Sequence, residues 1–197
     1  RFQFGNAQSM LASYAALRDR VDARMPALFL RRPKAAFEIR PVESFRALAA
    51  ASASYSPPSA DGSRAGVFFV NTSELASRRS FTIDATFLNV AIPGRHFQAT
   101  LAQETPNLPR FWRFGDDAAF VAGWALYAER LMAELGYMED PGHRMGWLDG
   151  QSLRAARVVI DERLARPILI GRPAVIEMRI RKAGLDLRAE RDFDIVN

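Results

Sequence analysis

Two short stretches gather most of the side chains here that could do chemistry. Asn89 to Gln98 reads NVAIPGRHFQ, and Phe120 to Glu129 reads FVAGWALYAE. The first offers Arg95 and His96, the second Tyr127 and Glu129, with Glu104 between them. His96 alone makes no metal site, because the other histidine, His143, stands far from ligand spacing. His143 follows Pro141-Gly142 and reads as a surface residue at a helix start. Arg95 is a permanent cation that binds a carboxylate ligand, pairs with Glu129 or stays solvated at the surface. Glu129 comes seven residues after Ala122, hence on a similar helix face. It either approaches the first stretch or joins a polar network with nearby arginines. Trp124 and Tyr127 read as packing residues or as the lining of a cleft.

The two stretches resemble the signature segments of a zincin-like bacterial family, domain-of-unknown-function family 885, which read HEAxPGHHLQ and FxEGWALYxE. The resemblance extends along the chain. Leu28-Phe29, Pro33-Lys34-Ala35 and Glu38 to Glu43 fit the family's LF…PKAPFEIRPVE stretch. Tyr55 and Asp61 to Gly66 fit its SY…DGSRPG turn, and Phe69 to Thr72 its strand ending YVNT. Gln103-Glu104, Leu108 to Phe111, Arg154-Ala155 with Arg157 to Val159, and Phe193-Asp194-Ile195 also fit. The match corresponds to the C-terminal, active-site half of family members.

The resemblance implies a zinc site: three protein ligands, an open position for water and a carboxylate base. Its four positions fall on Asn89, Val90, Arg95 and Ala122. Asn is a weak neutral ligand, Val takes no proton, Ala has no donor atom, and a cationic Arg repels a divalent metal. Downstream, the family follows VVD with TGIH and later a GYK motif. Here Glu162 to Pro167 replaces the first, and Ile168-Leu169 stands where Tyr-Lys would support an oxyanion. Pro93-Gly94 and Gly123 to Tyr127 survive. Random drift would damage both sets, so the pattern is that of a fold kept without its chemistry.

Elements must position these residues. Apolar residues at helical spacing, Met10, Leu11, Tyr14, Leu17, Val21 and Met25, predict a helix over Asn6 to Met25, ended by Pro26. Phe37–Val42 and Gly66–Asn71 read as strands, with a Pro/Gly/Ser loop from Ser54 to Gly66 between them. Thr82 to Gln103 is a helical region broken at Pro93-Gly94. Asp116 is the expected cap of a helix to Leu135 closed by Gly136. Further helices are expected over Arg144 to Ala165 and Pro173 to Ala183. The fold class is mainly α with a small β-sheet (α+β), a truncated zincin-like scaffold in a single domain over 1–197. In zincin-like folds an edge strand beside the metal helix holds extended peptide, a role the Gly66–Asn71 strand would take if its edge is open.

Composition narrows the function classes. At 197 residues the chain can bury one sizeable core. A net charge of +5, nearly all arginine, is scattered without basic runs or interleaved aromatics, so nucleic acid is not an expected partner. No apolar run is long enough to span a bilayer, and no start resembles a signal peptide. The chain begins at Arg1, as expected of a processed or truncated product. The expected protein is soluble, cytoplasmic or periplasmic, with no cysteine for disulfides or thiolate chemistry. It is a catalytically inactive homologue or scaffold holding no zinc, with a peptide or carboxylate cleft at Arg95, His96, Tyr127 and Glu129. Two alternatives stand beside it: an active metal-dependent peptidase using His96, Glu104 and Glu129, and an interaction module with no small ligand.

Overall fold

A computed structural model of the chain describes residues 2–134, 136, 138–162, 164, 168–182 and 188–196. The first helix, α1 (Ala7–Leu28), starts at Asn6, whose side chain accepts from the Ser9 amide at 2.7 Å while Ser9 Oγ accepts from the Asn6 amide. These reciprocal bonds satisfy donors the first turn leaves free. Met10, Tyr14, Leu17, Val21 and Met25 recur every three or four residues and are all buried. The helix does not stop before Pro26, as the sequence suggests. Proline lacks only its own N–H, and in the last turn the Phe29 amide still closes on the Met25 carbonyl at 2.9 Å.

Three strands follow: β1 (Phe37–Pro41), β2 (Ala53–Ser56) and β3 (Gly66–Val70). The sheet order is β1-β3-β2, with β3 parallel to β1 and antiparallel to β2. Two corrections follow. Ser54 to Ser56, assigned to a loop, is part of a strand. The β3 segment, considered as an open edge, is the central strand and has no free edge. Its apolar run GVFFV explains this, since a strand covered on both sides loses the alternation of an edge. Phe68 packs edge-on against Tyr14 and Phe87, joining sheet to helices.

The helices α2 (Ile83–Val90), α3 (Arg95–Gln103), α4 (Arg110–Phe114) and α5 (Ala118–Glu134) complete the site-bearing region. The cap of α5 is Asp117 rather than Asp116: its Oδ1 accepts from the Phe120 amide at 3.0 Å. Gly136, at φ 74°, follows that helix; Leu135 lies outside the described residues. Helix α6 (Pro141–Asp161) begins three residues before the expected Arg144, and its expected end, Ala165, is outside the described residues.

The chain divides into two compact units, residues 1–147 and 148–197. The first holds an aromatic and aliphatic core around Leu17, Phe68, Phe87, Leu88 and Phe97. The second contains most of α6 and a β–α–β arrangement: β4 (Ile168–Ile170), α7 (Pro173–Lys182) and β5 (Asp194–Val196), with β4 and β5 parallel. The expected end of α7, Ala183, is outside the described residues. The architecture is mainly helical with a small sheet, as the sequence pattern predicts. No helix among the described residues is long and apolar enough to cross a membrane.

Candidate functional site

The turn between α2 and α3 is set by Pro93-Gly94. The Ile92–Pro93 peptide bond is cis, and the His96 amide bonds back to the Ala91 carbonyl at 3.1 Å. A Cβ on Gly94 would lie 1.9 Å from the Asn89 carbonyl oxygen, so only glycine lets the chain double back this closely. The turn leaves His96 and Phe97 on the buried side of α3 and Arg95 exposed. Trp124 of α5 ties itself to the turn: its indole N–H donates to the Pro93 carbonyl at 2.8 Å, and its ring stacks parallel to Phe97. The two sequence signatures therefore hold each other in place.

Glu129 is 2 % exposed, and its Oε1 accepts from the Asn89 amide group at 2.6 Å. The structure thus brings Glu129 to the first signature. Ala122, seven residues earlier, is exposed, because the start of α5 borders open cavities rather than the core. Asn89 and Val90 are half-buried. These four signature positions offer one carboxamide, two aliphatic groups and an outward cation.

His96 is buried with its Nδ1 2.8 Å from the Tyr55 hydroxyl and 3.4 Å from Thr100 Oγ1. Burial pulls its pKa down to about 4, against the opposing effects of a backbone hydrogen bond with Ala35 and the Glu104 charge. Burial also raises the Tyr55 phenol to about 12. At neutral pH both are uncharged, and the ring can accept the Tyr55 proton at Nδ1. Gly66 makes room for this contact: a Cβ there would sit 2.8 Å from Tyr55 Oη and 3.2 Å from His96 Nδ1. Glu104 is engaged elsewhere, its Oε1 accepting from the Lys34 and Ala35 amides at 2.7 and 2.9 Å.

Beside this pair lies a polar cavity of about 190 Å³, bordered by Tyr55, Pro57, Arg95, Gln98, Arg113 and Asp116. Arg113 is held in position by the Gln103 carbonyl, which accepts from its Nε at 3.2 Å and its Nη2 at 2.6 Å. Tyr127, a candidate cleft residue, is instead half-exposed and stacked obliquely on Trp124. Leu126 is also partly exposed.

Sequence reasoning missed three partners. Tyr55 was visible only as part of a turn, since its contact to His96 spans 41 residues. Arg113 carried no signal beyond its charge. His143 is not a free surface residue: its Nδ1 lies 2.5 Å from the buried Asp84 carboxylate, with Arg20 3.9 Å away on the other oxygen. Burial raises the Asp84 pKa, and the neighbouring His143 and Arg20 oppose it. Among the described residues no three of His, Asp and Glu gather as a metal-binding group, so His96, Glu104 and Glu129 do not converge on one ion.

Known proteins resemble the chain in three ways. The family described as "Bacterial protein of unknown function (DUF885)" matches residues 1–166. The fit of Phe193-Asp194-Ile195 lies beyond that range. A crystal structure of a protein described as a lipoprotein, from Colwellia psychrerythraea, superposes with a TM-score of 0.78 at 28% identity, over 82% of this chain and 28% of that one. Separately, a stretch of 49 residues is 53% identical to an NAD-dependent malic enzyme of Rhizobium meliloti and 55% identical to an NADP-dependent malic enzyme of Salmonella typhimurium. That stretch is 25% of this chain, and the chain spans 6% of the length of those curated relatives.

Proposed function

This chain belongs to domain-of-unknown-function family 885, and from that premise we propose that it is a binding member without hydrolytic chemistry. On this reading it is a zincin-like scaffold whose polar cleft holds a peptide or another carboxylate. The observation that carries the reading is the Asn89–Glu129 bond at 2.6 Å. An amide N–H points where the family resemblance implies a metal ligand, and the nearby buried carboxylate is bound to it. Val90 and Ala122 provide neither a base nor a donor, and Arg95 is cationic. This set does not fit zinc. What the site retains suits carboxylate recognition: Arg95 and a pre-positioned Arg113 on one cavity wall, with the neutral Tyr55–His96 pair beside them. Of the two edge strands, β1 and β2, it is β2 that carries Tyr55, and its outer edge is the one we assign to an extended peptide.

The test uses protein purified without chelator. Elemental analysis should find no stoichiometric zinc, and chelator should leave the melting temperature unchanged. The variant Asn89→His, Val90→Glu, Arg95→His, Ala122→Glu should gain zinc affinity before any peptidase activity. About one tightly held zinc per parent chain would overturn the reading and favour an active peptidase.

A second reading concerns residues 148–197. The malic-enzyme likeness spans 49 residues, and the second compact unit spans 50. The family's TGIH and GYK motifs fail within this unit. Its β4 and β5 are parallel, as in large α/β sheets, yet Ile168, Ile170 and Val196 are exposed. We infer that the malic-enzyme-like segment lies in this unit, a β–α–β piece of a larger sheet whose first part overlaps the end of the family match at residues 148–166. So small a share of an oxidoreductase gives no ground for malate oxidation here. Hydrogen exchange on the intact chain checks it: destabilising unit 1 should leave exchange in β4 and β5 unchanged, and joint release would refute the separation.

A further inference from the structure

A second cavity adjoins the polar cleft. It measures about 380 Å³, within the range of small-molecule sites, and is lined by Phe97, Leu101, Leu108, Phe120, Val121 and Trp124. The two cavities share Gln98, Ala102, Trp112, Gly115 and Val121 in their linings, so an apolar end and a charged end lie side by side in one recessed surface. Around the apolar end, Phe111, Trp112 and Phe120 are each about half-exposed or more. Large apolar side chains left to water beside a concave surface mark a place where something apolar binds.

The shared wall carries a second signal. Gln98 Oε1 is buried and has no hydrogen-bond partner. A buried acceptor without a donor is uncommon in folded proteins and is relieved when a ligand brings an N–H. Gln98 borders both cavities: the one lined by Arg95 and Arg113, which suit a carboxylate, and the apolar one. Asp116 at the charged end and Asp117 on the lining of the apolar cavity disfavour a second negative charge on the ligand.

We propose that this recess binds the C-terminal residue of a peptide whose last side chain is bulky and apolar. The inference deepens the carboxylate-cleft reading and rests on it. The free carboxylate meets Arg95 and Arg113, the residue's amide N–H meets Gln98, and the side chain fills the apolar end. One group of each kind, carboxylate, N–H and apolar side chain, branches from a single Cα in such a residue. The recess offers the same three chemistries side by side.

Calorimetric titration of the full chain with N-acetylphenylalanine, N-acetylalanine and N-acetylphenylalaninamide tests this. The phenylalanine acid should bind at least about tenfold more tightly than the alanine acid, the scale by which an apolar site discriminates side chains. It should also outbind the amide, which lacks the carboxylate. Leu101→Trp, which fills the apolar end, should abolish the preference for phenylalanine. Phe120→Ala, at a position 51% exposed, should reduce it. Equal binding of the two acids in parent and variants overturns the apolar subsite alone. Equal binding of phenylalanine acid and amide overturns the carboxylate reading and this proposal with it. No binding of any probe overturns both.

Discussion

The two compact units of this chain solve the problem of burying apolar surface very differently. In residues 1–147 one helix stripe, a three-stranded sheet and the α2–α5 helices enclose Leu17, Phe68, Phe87 and Leu88, none measurably exposed. In residues 148–197 Phe193 is the one buried hydrophobic among the described residues, and the parallel strands show Ile168 and Ile170 to solvent. Every residue of the candidate site lies in the first unit. A site made of backbone turns and buried polar contacts needs a core that over-determines it. Among its described residues the second unit has secondary structure but little burial, and so shows no such core. Helix and strand content alone therefore says little about where function can sit.

The comparison can be broken most directly in the core. Phe68→Ala removes a ring packed against Tyr14 and Phe87 and should cost about 3–5 kcal/mol, read from urea unfolding. A loss below 1 kcal/mol would mean the first unit is not the rigid one.

Acid should reach the buried polar part of the first unit next. The folded pKa of His96, about 4, lies below its ordinary value of 6.5. Between those values the unfolded chain takes up a proton that the folded one refuses. The stability is fully present above pH 6.5 and is lost as pH falls toward 4, by on the order of 3 kcal/mol. Unfolding measured at pH 7, 6 and 5 should show this slope, and His96→Gln should flatten it. Identical slopes in parent and variant would contradict the buried neutral imidazole.

Gly66→Ala should cost about 1–3 kcal/mol by pressing a methyl against Tyr55 and His96. Its imidazole resonances should shift in NMR spectra; unchanged resonances would show that the pair is not held at this spacing. The smallest effect belongs to the second unit. Ile170→Ser, at a strand position 86% exposed, should change stability by no more than about 0.5 kcal/mol. A large loss there would show that β4 is covered in solution and erase the contrast.

Much of the scaffold was legible in the residues. The α1 stripe, the break at Pro93-Gly94 and the helix holding GWALY are local patterns, and local patterns report periodicity and turn geometry. The boundaries that failed, Pro26, Asp116 and Ser54 to Ser56, turn on one hydrogen bond each or on pairing with a distant strand. The strand order could not be read, because β3 becomes central only when β2 arrives from an intervening loop-like sequence. Within the site, the proximity of Glu129 to the first signature follows from the two motifs. The Tyr55–His96 contact and the Asp84–His143 pair join residues 41 and 59 positions apart, which no spacing rule connects.

By itself the sequence determined the family, the helical class and which donor atoms Asn89, Val90, Arg95 and Ala122 carry, because these depend on side-chain type and local pattern. Tertiary structure alone decided which groups are buried, which meet, and that the polar and apolar cavities share part of their linings. Those properties depend on desolvation and on contacts between segments far apart in the chain. A residue's type fixes what it can donate, accept or bury; only the packed fold fixes what stands opposite it.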